Sequence, residues 1–193
     1  MTRGRQLSLF GVEARPPSPL DLEGLLVGAG QVTRMGGTAR VSIVVDAPWR
    51  AEVLRAECAL RALVSTVEPA TIEGNIAFRT AYSTALAPLG VRWMRGAVKH
   101  VPDRFFLDGR RLRLWFAAAG SPDGAQAFTL RLGTMSDDEA IGAALAGAGL
   151  PAVLLGPRAG GPAYRIVGRR RMSRLAELIG EPPVQAPPGD WPL

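Results

Sequence analysis

Side chains that commonly do catalysis are scarce in this sequence. His100 is the only histidine and Cys58 the only cysteine, so Ser–His–Asp or Cys–His catalysis would depend on one imidazole with no nucleophile motif beside it. A single cysteine also excludes a disulfide framework and a cysteine-ligated metal site. The glycine-rich segment 156–161 lacks the lysine and the hydroxyl residue of a phosphate-binding loop. We therefore expect no catalytic residue, no bound metal and no cofactor.

Arginine dominates the remaining chemistry. The chain of 193 residues carries 23 Lys+Arg against 17 Asp+Glu, and Lys99 is the only lysine. The net charge of +6 and the pI near 10.8 indicate a polyanionic partner, most often nucleic acid. An arginine-rich composition with abundant Ala, Gly and Pro is also typical of a GC-rich genome, so charge by itself is mild support for nucleic acid.

The elements that must position these arginines occur twice along the chain. Residues 22–30 (LEGLLVGAG) have a partner at the same spacing in residues 112–120 (LRLWFAAAG). Ser18, with Pro19 at the first helical position, and Asp108 are helix caps in front of the two segments. Each segment is followed by a strand of alternating hydrophobicity, at residues 39–45 and 127–132.

The elements further along also match. Helices are predicted from about Pro48 to Leu63, and from a capping box at Ser136–Glu139 to about Pro151. Strands around residues 77–79 and 163–165 and short closing helices at 86–90 and 175–180 complete two units of helix, paired strands, helix, paired strands and helix. One unit is too small to be stable by itself, so we expect the two units to pack against each other through their first helices. The small residues that would allow this close approach are Gly24, Gly28, Ala117 and Ala118. The alternative is a pair of ordinary α+β units whose Gly/Ala-rich helices align by chance.

This pattern resembles the LAGLIDADG homing-endonuclease fold, most closely its degenerate form in the WhiA-type regulators of actinobacteria. The nine motif positions fall on residues 22–30 and 112–120, and the likeness covers roughly residues 18–180. The resemblance implies an α+β fold of two pseudo-symmetric αββαββα repeats in one chain. The repeats would pack through their first helices and present saddle-shaped antiparallel sheets to DNA, as a monomer with the symmetry of a dimer.

The catalytic acids of that family are missing. In active members the residue before the final glycine of each motif is an acid, and the pair holds divalent metal ions for phosphodiester cleavage. Here the two positions are Ala29 and Ala119. Glu23 and Asp123 are the neighbouring acids that would have to substitute, but Glu23 lies near a helix start and Asp123 in a turn. We therefore expect DNA binding without cleavage.

Strand alternation predicts which side chains face the DNA. With Val41, Ile43 and Val45 inward, Arg40 and Ser42 point outward, and the same reasoning applies to the other strands. The predicted contacts on strands and hairpin tips are Arg34, Arg40, Ser42, Arg79, Thr129, Arg131, Arg158 and Arg165. The helix start formed by Arg169, Arg170 and Arg171 either binds phosphates or is simply a solvated surface. Outward strand positions are usually polar in any case, so we expect contact from the set rather than from any single member.

The first residues contain a second motif. Gln6, Leu7, Ser8, Leu9 and Phe10 resemble the peptide by which bacterial polymerases and repair factors dock on the replicative sliding clamp. Leu7, Leu9 and Phe10 are apolar anchors for a pocket, and Gln6 supplies directional hydrogen bonds. A proline-rich spacer follows at residues 14–19. The alternative is a terminal segment that packs on its own domain.

The predicted organisation of the chain has five parts. A flexible clamp peptide and spacer (1–17) precede the first repeat (18–90), a linker (91–107), the second repeat (108–180) and a proline-rich tail (181–193). We expect the tail to be disordered, although its Trp191 could dock on a partner. His100 is expected on the linker surface. The sequence shows neither a signal peptide nor an apolar run of membrane-spanning length, which predicts a cytoplasmic, nucleoid-associated protein.

Three interpretations follow. The first is a non-catalytic DNA-binding protein tethered to the sliding clamp in replication or repair, because two weak attachments on one molecule reinforce each other. The second is a WhiA-like transcription regulator, although those proteins carry a helix-turn-helix that the residues after Gly180 leave no room for. The third is an active nuclease, which Ala29 and Ala119 oppose.

Overall fold

The predicted order of elements is found in both halves of the chain. The computed structural model describes residues 11–133 and 137–193. The first repeat consists of α1 (Glu23–Val27), β1 (Gln31–Met35), β2 (Thr38–Val45), α2 (Pro48–Ala59), β3 (Ser65–Pro69), β4 (Ile76–Thr80) and α3 (Ala87–Trp93). A hairpin of β5 (Met94–Arg95) and β6 (Val98–Lys99) links it to the second repeat. That repeat consists of α4 (Gly109–Ala119), β7 (Gly120–Pro122), β8 (Ala127–Arg131), α5 (Asp138–Gly147), β9 (Val153–Leu155), β10 (Ala163–Val167) and α6 (Arg169–Ile179).

Each repeat contains one four-stranded antiparallel sheet. The strand order is β1-β2-β4-β3 in the first sheet and β7-β8-β10-β9 in the second, so the two have the same topology. The helices pack on one face of each sheet and bury its apolar side chains, which leaves the other face uncovered. In the parts of the chain that the structure describes, no helix is long and apolar enough to cross a membrane.

The helix starts follow the predicted capping chemistry, with two corrections. Ser18 and Asp21 form a capping box over a 3₁₀ turn (Pro19–Leu22), and the Asp108 carboxylate accepts from the Arg111 N–H of α4. The regular part of the first motif helix is only Glu23–Val27, whereas α4 runs for 11 residues. The start of α5 is capped by Asp137, which accepts from the Ala140 N–H. Ser136, the predicted cap, lies outside the described residues.

The two repeats meet most closely where α1 crosses α4. A Cβ atom added to Gly24 would lie 2.0 Å from the backbone oxygen of Arg111, so no side chain fits between the helices at that point. Leu25, Ala117 and Ala118 are buried beside it. Packing through the first helices is thus confirmed, and Gly24 is the residue that permits it.

A connected set of ion pairs, the inter-repeat ion network, surrounds this crossing at the N-terminal ends of both helices. Arg111 of α4 donates to the Glu23 carboxylate at 2.7 Å, and Arg61 donates to Asp21 at 2.8 Å with both side chains fully buried. The network comprises Asp21, Glu23, Glu57 and Asp108 with Arg15, Arg61, Arg92, Arg111 and Arg113. Because buried charges are stable only when paired, the largely buried Arg61, Arg111 and Arg113 are structural, whereas Arg15 and Arg92 are 37% and 36% exposed.

The C-terminal tail differs from its prediction. Trp191 is 3% exposed, packs edge-on against Phe116 of α4 with ring centroids 4.9 Å apart, and donates its indole N–H to the Gly180 carbonyl. The guanidinium of Arg113 lies over the same indole ring. The expectation of a disordered tail was therefore wrong, because burying a large aromatic side chain against α4 fixes the end of the chain.

The predicted linker is also structured. The helix α3 continues to Trp93, whose side chain is buried and donates to the Glu23 carboxylate. The β5–β6 hairpin then places Lys99 in the interior, with its side chain 7% exposed. His100 is half-buried, and its Nδ1 lies 2.9 Å from the Val101 carbonyl oxygen.

The described part of the leading segment lies against the domain. The Val12 N–H donates to the Leu178 carbonyl at the end of α6, and Arg15 pairs with Asp21 and Asp108. Both contacts are at the end of the molecule where the motif helices begin. Residues 11–17 are thus anchored there, in contrast to the flexible spacer that was predicted.

Candidate nucleic-acid interface

The uncovered face of the first sheet carries a row of polar side chains in register across all four strands. Backbone pairing places Gln31 opposite Ser42, Ser42 opposite Arg79, and Arg79 opposite Thr66. On β2 and β4 the strand neighbours of these residues point to the helices and are buried, as the alternation of the two strands predicted. This row begins one residue after the end of the first motif, because Gln31 follows Gly30 directly.

The second sheet carries an equivalent row. Ser121 lies opposite Thr129, Thr129 opposite Arg165, and Arg165 opposite Val153. Arg79 and Arg165 therefore occupy the same position in the two repeats, as do Ser42 and Thr129. We call the two uncovered surfaces the exposed sheet faces.

The two faces differ on either side of these rows. The register makes Arg40 of β2 equivalent to Ala127 of β8, and Val44 of β2 equivalent to Arg131 of β8. An arginine thus lies towards the hairpin tip in the first repeat and towards the motif-helix end in the second. Val44 is 51% exposed, an apolar side chain in the position where the other repeat has a cation.

The exposed sheet faces meet near the ends of β2 and β8. Asp46, directly after β2, accepts from Arg131 of β8 and also from Arg50 at the start of α2. Burial raises the pKa of Asp46, but the hydrogen bonds from Arg131 and Arg50 outweigh it and hold that pKa below its ordinary value. These contacts join the two sheets into one surface.

Most of the predicted strand arginines on this surface are paired. Arg79 donates to Glu68 at 2.9 Å and Arg165 donates to Asp123 at 2.5 Å, in addition to the Arg131–Asp46 pair. Arg40 instead lies over the ring of Tyr82, with its guanidinium carbon 4.9 Å from the ring centroid. Glu68, Asp46 and Asp123 were not anticipated as part of this surface, which is consequently less positive than the arginines alone imply.

Arg34 lies on the other side of the first sheet. It pairs with the buried Ala39 and shares its strand face with Val32, so it points to the helix layer. A Cβ atom added to Gly90 of α3 would lie 2.5 Å from the Arg34 side chain, which shows how closely that side chain passes the helix. Arg34 is nevertheless exposed near the hairpin tip, so its contact with DNA stays a prediction, but it does not belong to the strand row of the uncovered face. The alternation of side chains along β1 indicates that Arg34 lies on the same strand face as Val32, and it identifies Gln31 and Thr33 as the residues of the uncovered face.

The remaining predicted contacts lie outside the strand rows. Arg158 is exposed in the loop between β9 and β10. Arg169, Arg170 and Arg171 are exposed at the start of α6 and, with Arg174, line a cavity of about 700 Å³ beside the loop that follows α5. This cluster begins two residues after the end of β10 at Val167, at the start of the helix α6.

The positions of the family acids lie at the motif-helix ends, next to the exposed sheet faces. Ala29 is exposed and, with Gln31, Ser42 and Arg79, lines a shallow cavity of about 150 Å³. Ala119 is 6% exposed. Within residues 11–133 and 137–193, no group of three or more His, Cys, Asp or Glu side chains is placed to hold a metal ion. Glu23 belongs to the inter-repeat ion network and Asp123 to the Arg165 pair.

Buried cations occupy both helix ends. The Lys99 ammonium donates to the carbonyl oxygens of Leu26, Gly28 and Gly30 at 2.9–3.1 Å. Burial lowers the pKa of Lys99 to about 8, which leaves it mostly charged at neutral pH. At the end of α4, Arg50 donates to the carbonyl oxygens of Ala117 and Gly120. These cations satisfy the last carbonyls of each motif helix and complement its dipole.

Comparison with known proteins identifies the fold. No protein-family model matches the sequence. No curated protein matches it either. Among solved structures, the homing endonuclease I-WcaI bound to its DNA recognition sequence is similar to this chain at 12% identity, with a TM-score of 0.59 over 86% of this chain and 82% of that one. The structure of I-DmoI in complex with DNA and Mn matches at 13% identity, with a TM-score of 0.44 over 84% of this chain and 96% of that one. With its two repeats, shared sheet topology and crossed motif helices, the chain has the α+β fold of the LAGLIDADG homing endonucleases.

Proposed function

We propose that this chain is a non-catalytic DNA-binding protein of the nucleoid that acts in replication or repair while tethered to the replicative sliding clamp. The observation that carries the DNA-binding part is the pair of equivalent polar rows on the exposed sheet faces, each with an arginine at the same position. Two strands side by side fit the major groove, where base edges are read. The DNA-bound state of I-WcaI, a protein of the same fold, supports the same use of the sheets.

The absence of catalysis rests on the motif-helix ends. A methyl group at Ala29 or Ala119 binds no metal ion and activates no water. Lys99 and Arg50 add positive charge close to both positions, which opposes a divalent cation there. Incubation with supercoiled plasmid and Mg²⁺ or Mn²⁺ tests this directly. We expect no nicking above background, and reproducible nicking would overturn the non-catalytic assignment.

The clamp-binding part rests on Gln6–Phe10, which lie outside the described residues. Its structural support is the anchoring of residues 11–17 beside Leu178 and Asp108, at the starts of the motif helices. The exposed sheet faces lie at the opposite ends of those helices. A clamp held by the leading peptide would therefore leave the DNA-binding faces uncovered, so both partners can bind at once.

The test of DNA binding is a charge reversal on the two equivalent arginines. We expect Arg79→Glu/Arg165→Glu to lower the affinity for duplex DNA by at least about tenfold at low salt, because two contacts become repulsive. The matched control is Arg55→Glu/Arg95→Glu, which makes the same change of net charge at exposed positions on α2 and the β5–β6 hairpin. An equal loss in both variants would mean that net charge alone matters, and would remove the sheet faces from the proposal.

The test of clamp binding is a pull-down with purified clamp and the full chain. Leu9→Ala/Phe10→Ala removes two apolar anchors and should abolish retention. The control is Val184→Ala/Leu193→Ala, which truncates two apolar residues that are 99% and 93% exposed in the tail. Unchanged retention of the first variant would refute the tether and leave DNA binding intact.

A further inference from the structure

The ion pairs on the exposed sheet faces are largely open to solvent. The side chains of Arg79, Arg131 and Arg165 are 45%, 50% and 40% exposed, and those of their carboxylate partners 58%, 41% and 43%. Pairs this exposed contribute about 0–1 kcal/mol to stability. The three carboxylates come from separate parts of the chain: Glu68 lies on β3, Asp46 after β2 and Asp123 after β7. Their recurrence on one surface therefore calls for a reason other than stability.

Carboxylates at these positions oppose simple phosphate binding. Affinity for the DNA backbone comes from cations that replace condensed counterions, and an acid beside each arginine cancels that gain. By contrast, among the described residues Arg158, Arg169 and Arg170 form no salt bridge and lie outside the strand rows. These three arginines outside the rows are thus unpaired, whereas Arg79, Arg131 and Arg165 on the sheet faces each have a carboxylate partner.

A paired arginine is better suited to reading a base. A carboxylate that accepts from one part of the guanidinium restricts the rotation of a long, flexible side chain, so less entropy is lost on binding. Asp123 accepts from Nε of Arg165, and the two terminal nitrogens are not used by that contact. Glu68 accepts from Nη1 of Arg79. Each arginine keeps N–H groups that can donate together to the O6 and N7 atoms of a guanine.

We propose, on the basis of the DNA-binding function above, that Arg79, Arg131 and Arg165 read guanines in the major groove. Glu68, Asp46 and Asp123 are then specificity-determining residues, which hold the arginines in orientation and repel phosphates. Arg79 and Arg165 are equivalent in the two repeats, so their guanines lie at symmetric positions in the two half-sites. Arg131 has Val44 as its counterpart, so the central part of the site is asymmetric, with a third guanine on one side only.

The experiment is selection from random-sequence duplexes by the full-length chain, followed by affinities for the selected and a scrambled duplex. We expect two symmetric guanines and one unpaired central guanine. Glu68→Gln and Asp123→Asn should each tighten binding to the scrambled duplex and reduce the ratio of selected to scrambled affinity by about tenfold. The matched control is Glu52→Gln, which removes an equally exposed acid paired with Arg55 on α2 and should leave the ratio unchanged.

Arg79→Lys separates base reading from charge. Lysine keeps the positive charge but cannot donate as a planar fork, so we expect affinity for the scrambled duplex to persist while the preference for one symmetric guanine disappears. If the wild-type chain binds no duplex, the proposed function itself fails. If it binds but enriches no guanine, or if Glu68→Gln and Asp123→Asn leave the affinity ratio unchanged, DNA binding stands and the inference is overturned.

Discussion

Arginine–carboxylate pairs occur in two regions of this molecule, and the regions differ in burial. In the inter-repeat ion network the Arg61–Asp21 pair is fully buried. On the exposed sheet faces the Arg79–Glu68 pair is about half exposed. The geometry is similar, with donor–acceptor distances of 2.8 and 2.9 Å. Solvent decides the difference, because separating a buried pair leaves an unpaired charge in the interior at a large desolvation cost, whereas an exposed pair is solvated and contributes little to stability.

This contrast explains why net charge is a poor guide to the interface. The network uses Arg15, Arg61, Arg92, Arg111 and Arg113 to join the two repeats. These residues count toward the formal charge of +6, but Arg61, Arg111 and Arg113 present little of it to a partner because their side chains are at most 15% exposed. The exposed arginines of the predicted interface are those of the sheet faces, the β9–β10 loop and the start of α6.

The largest expected loss of stability comes from a substitution at the centre of the inter-repeat ion network. Asp21→Asn removes the charge that faces both Arg15 and Arg61 and leaves the buried guanidinium of Arg61 without that partner. We expect the free energy of unfolding to fall by about 3–5 kcal/mol, measured by urea denaturation. Asp103→Asn is the control, because that side chain is 91% exposed and lies 3.7 Å from Arg95. Equal, small losses in both variants would contradict the contrast between the two regions.

A smaller loss of folding stability is expected at low pH, and its size should differ between the two regions. Burial raises the pKa of Glu57, but hydrogen bonds from Arg113 and Arg61 outweigh it, so the folded pKa is below the ordinary value. The unfolded chain, with a pKa of about 4.3, therefore takes up protons first. The stability due to Glu57 is complete above that pH and is lost as the pH falls through the folded pKa.

Urea denaturation between pH 7 and pH 3 checks this. Glu57→Gln should lower stability at pH 7 and flatten the acid limb of the profile. Asp46→Asn should change the limb less, because the pKa of Asp46 is also lowered but its side chain is 41% exposed and salt screens it. If Asp46→Asn changed the acid limb of the stability profile more than Glu57→Gln does, the exposed pair would contribute more to stability than the buried one, contrary to this prediction.

The smallest effect is expected from the acids of the sheet faces. Glu68→Gln should change the free energy of unfolding by less than about 0.5 kcal/mol, since its pair with Arg79 is exposed. Thermal and urea denaturation of the variant and the wild-type chain measure this. A loss above about 1 kcal/mol would make the pair a structural one, as in the network.

Much of the fold could be predicted because it depends on local patterns. Ser18 and Asp108 are caps by their own chemistry, and the alternation in β2, β4, β8 and β10 follows from the pleat of a strand. The outward positions of Arg40 and Arg79 follow from the same rule. Arg34 shares its strand face with Val32, so the same alternation places it on the helix side of the sheet although it is exposed.

The rest depends on distant partners. Trp191 was expected to be free because a proline-rich end has no local structure, but Phe116 and Arg113 supply a site for its ring. Lys99 was read as part of a linker, yet its ammonium fills the end of α1 from more than 60 residues away. Nothing in the neighbouring residues signals either contact.

The sequence by itself determined the duplicated order of helices and strands, the caps, the strand faces and the alanines at positions 29 and 119, since each is a property of neighbouring residues. Only the tertiary structure decided which arginines are buried in the inter-repeat ion network, and that Glu68, Asp46 and Asp123 lie beside the outward ones. The physical reason is that the role of a charged side chain depends on the solvent and the charges around it, and residues far apart in the chain supply both.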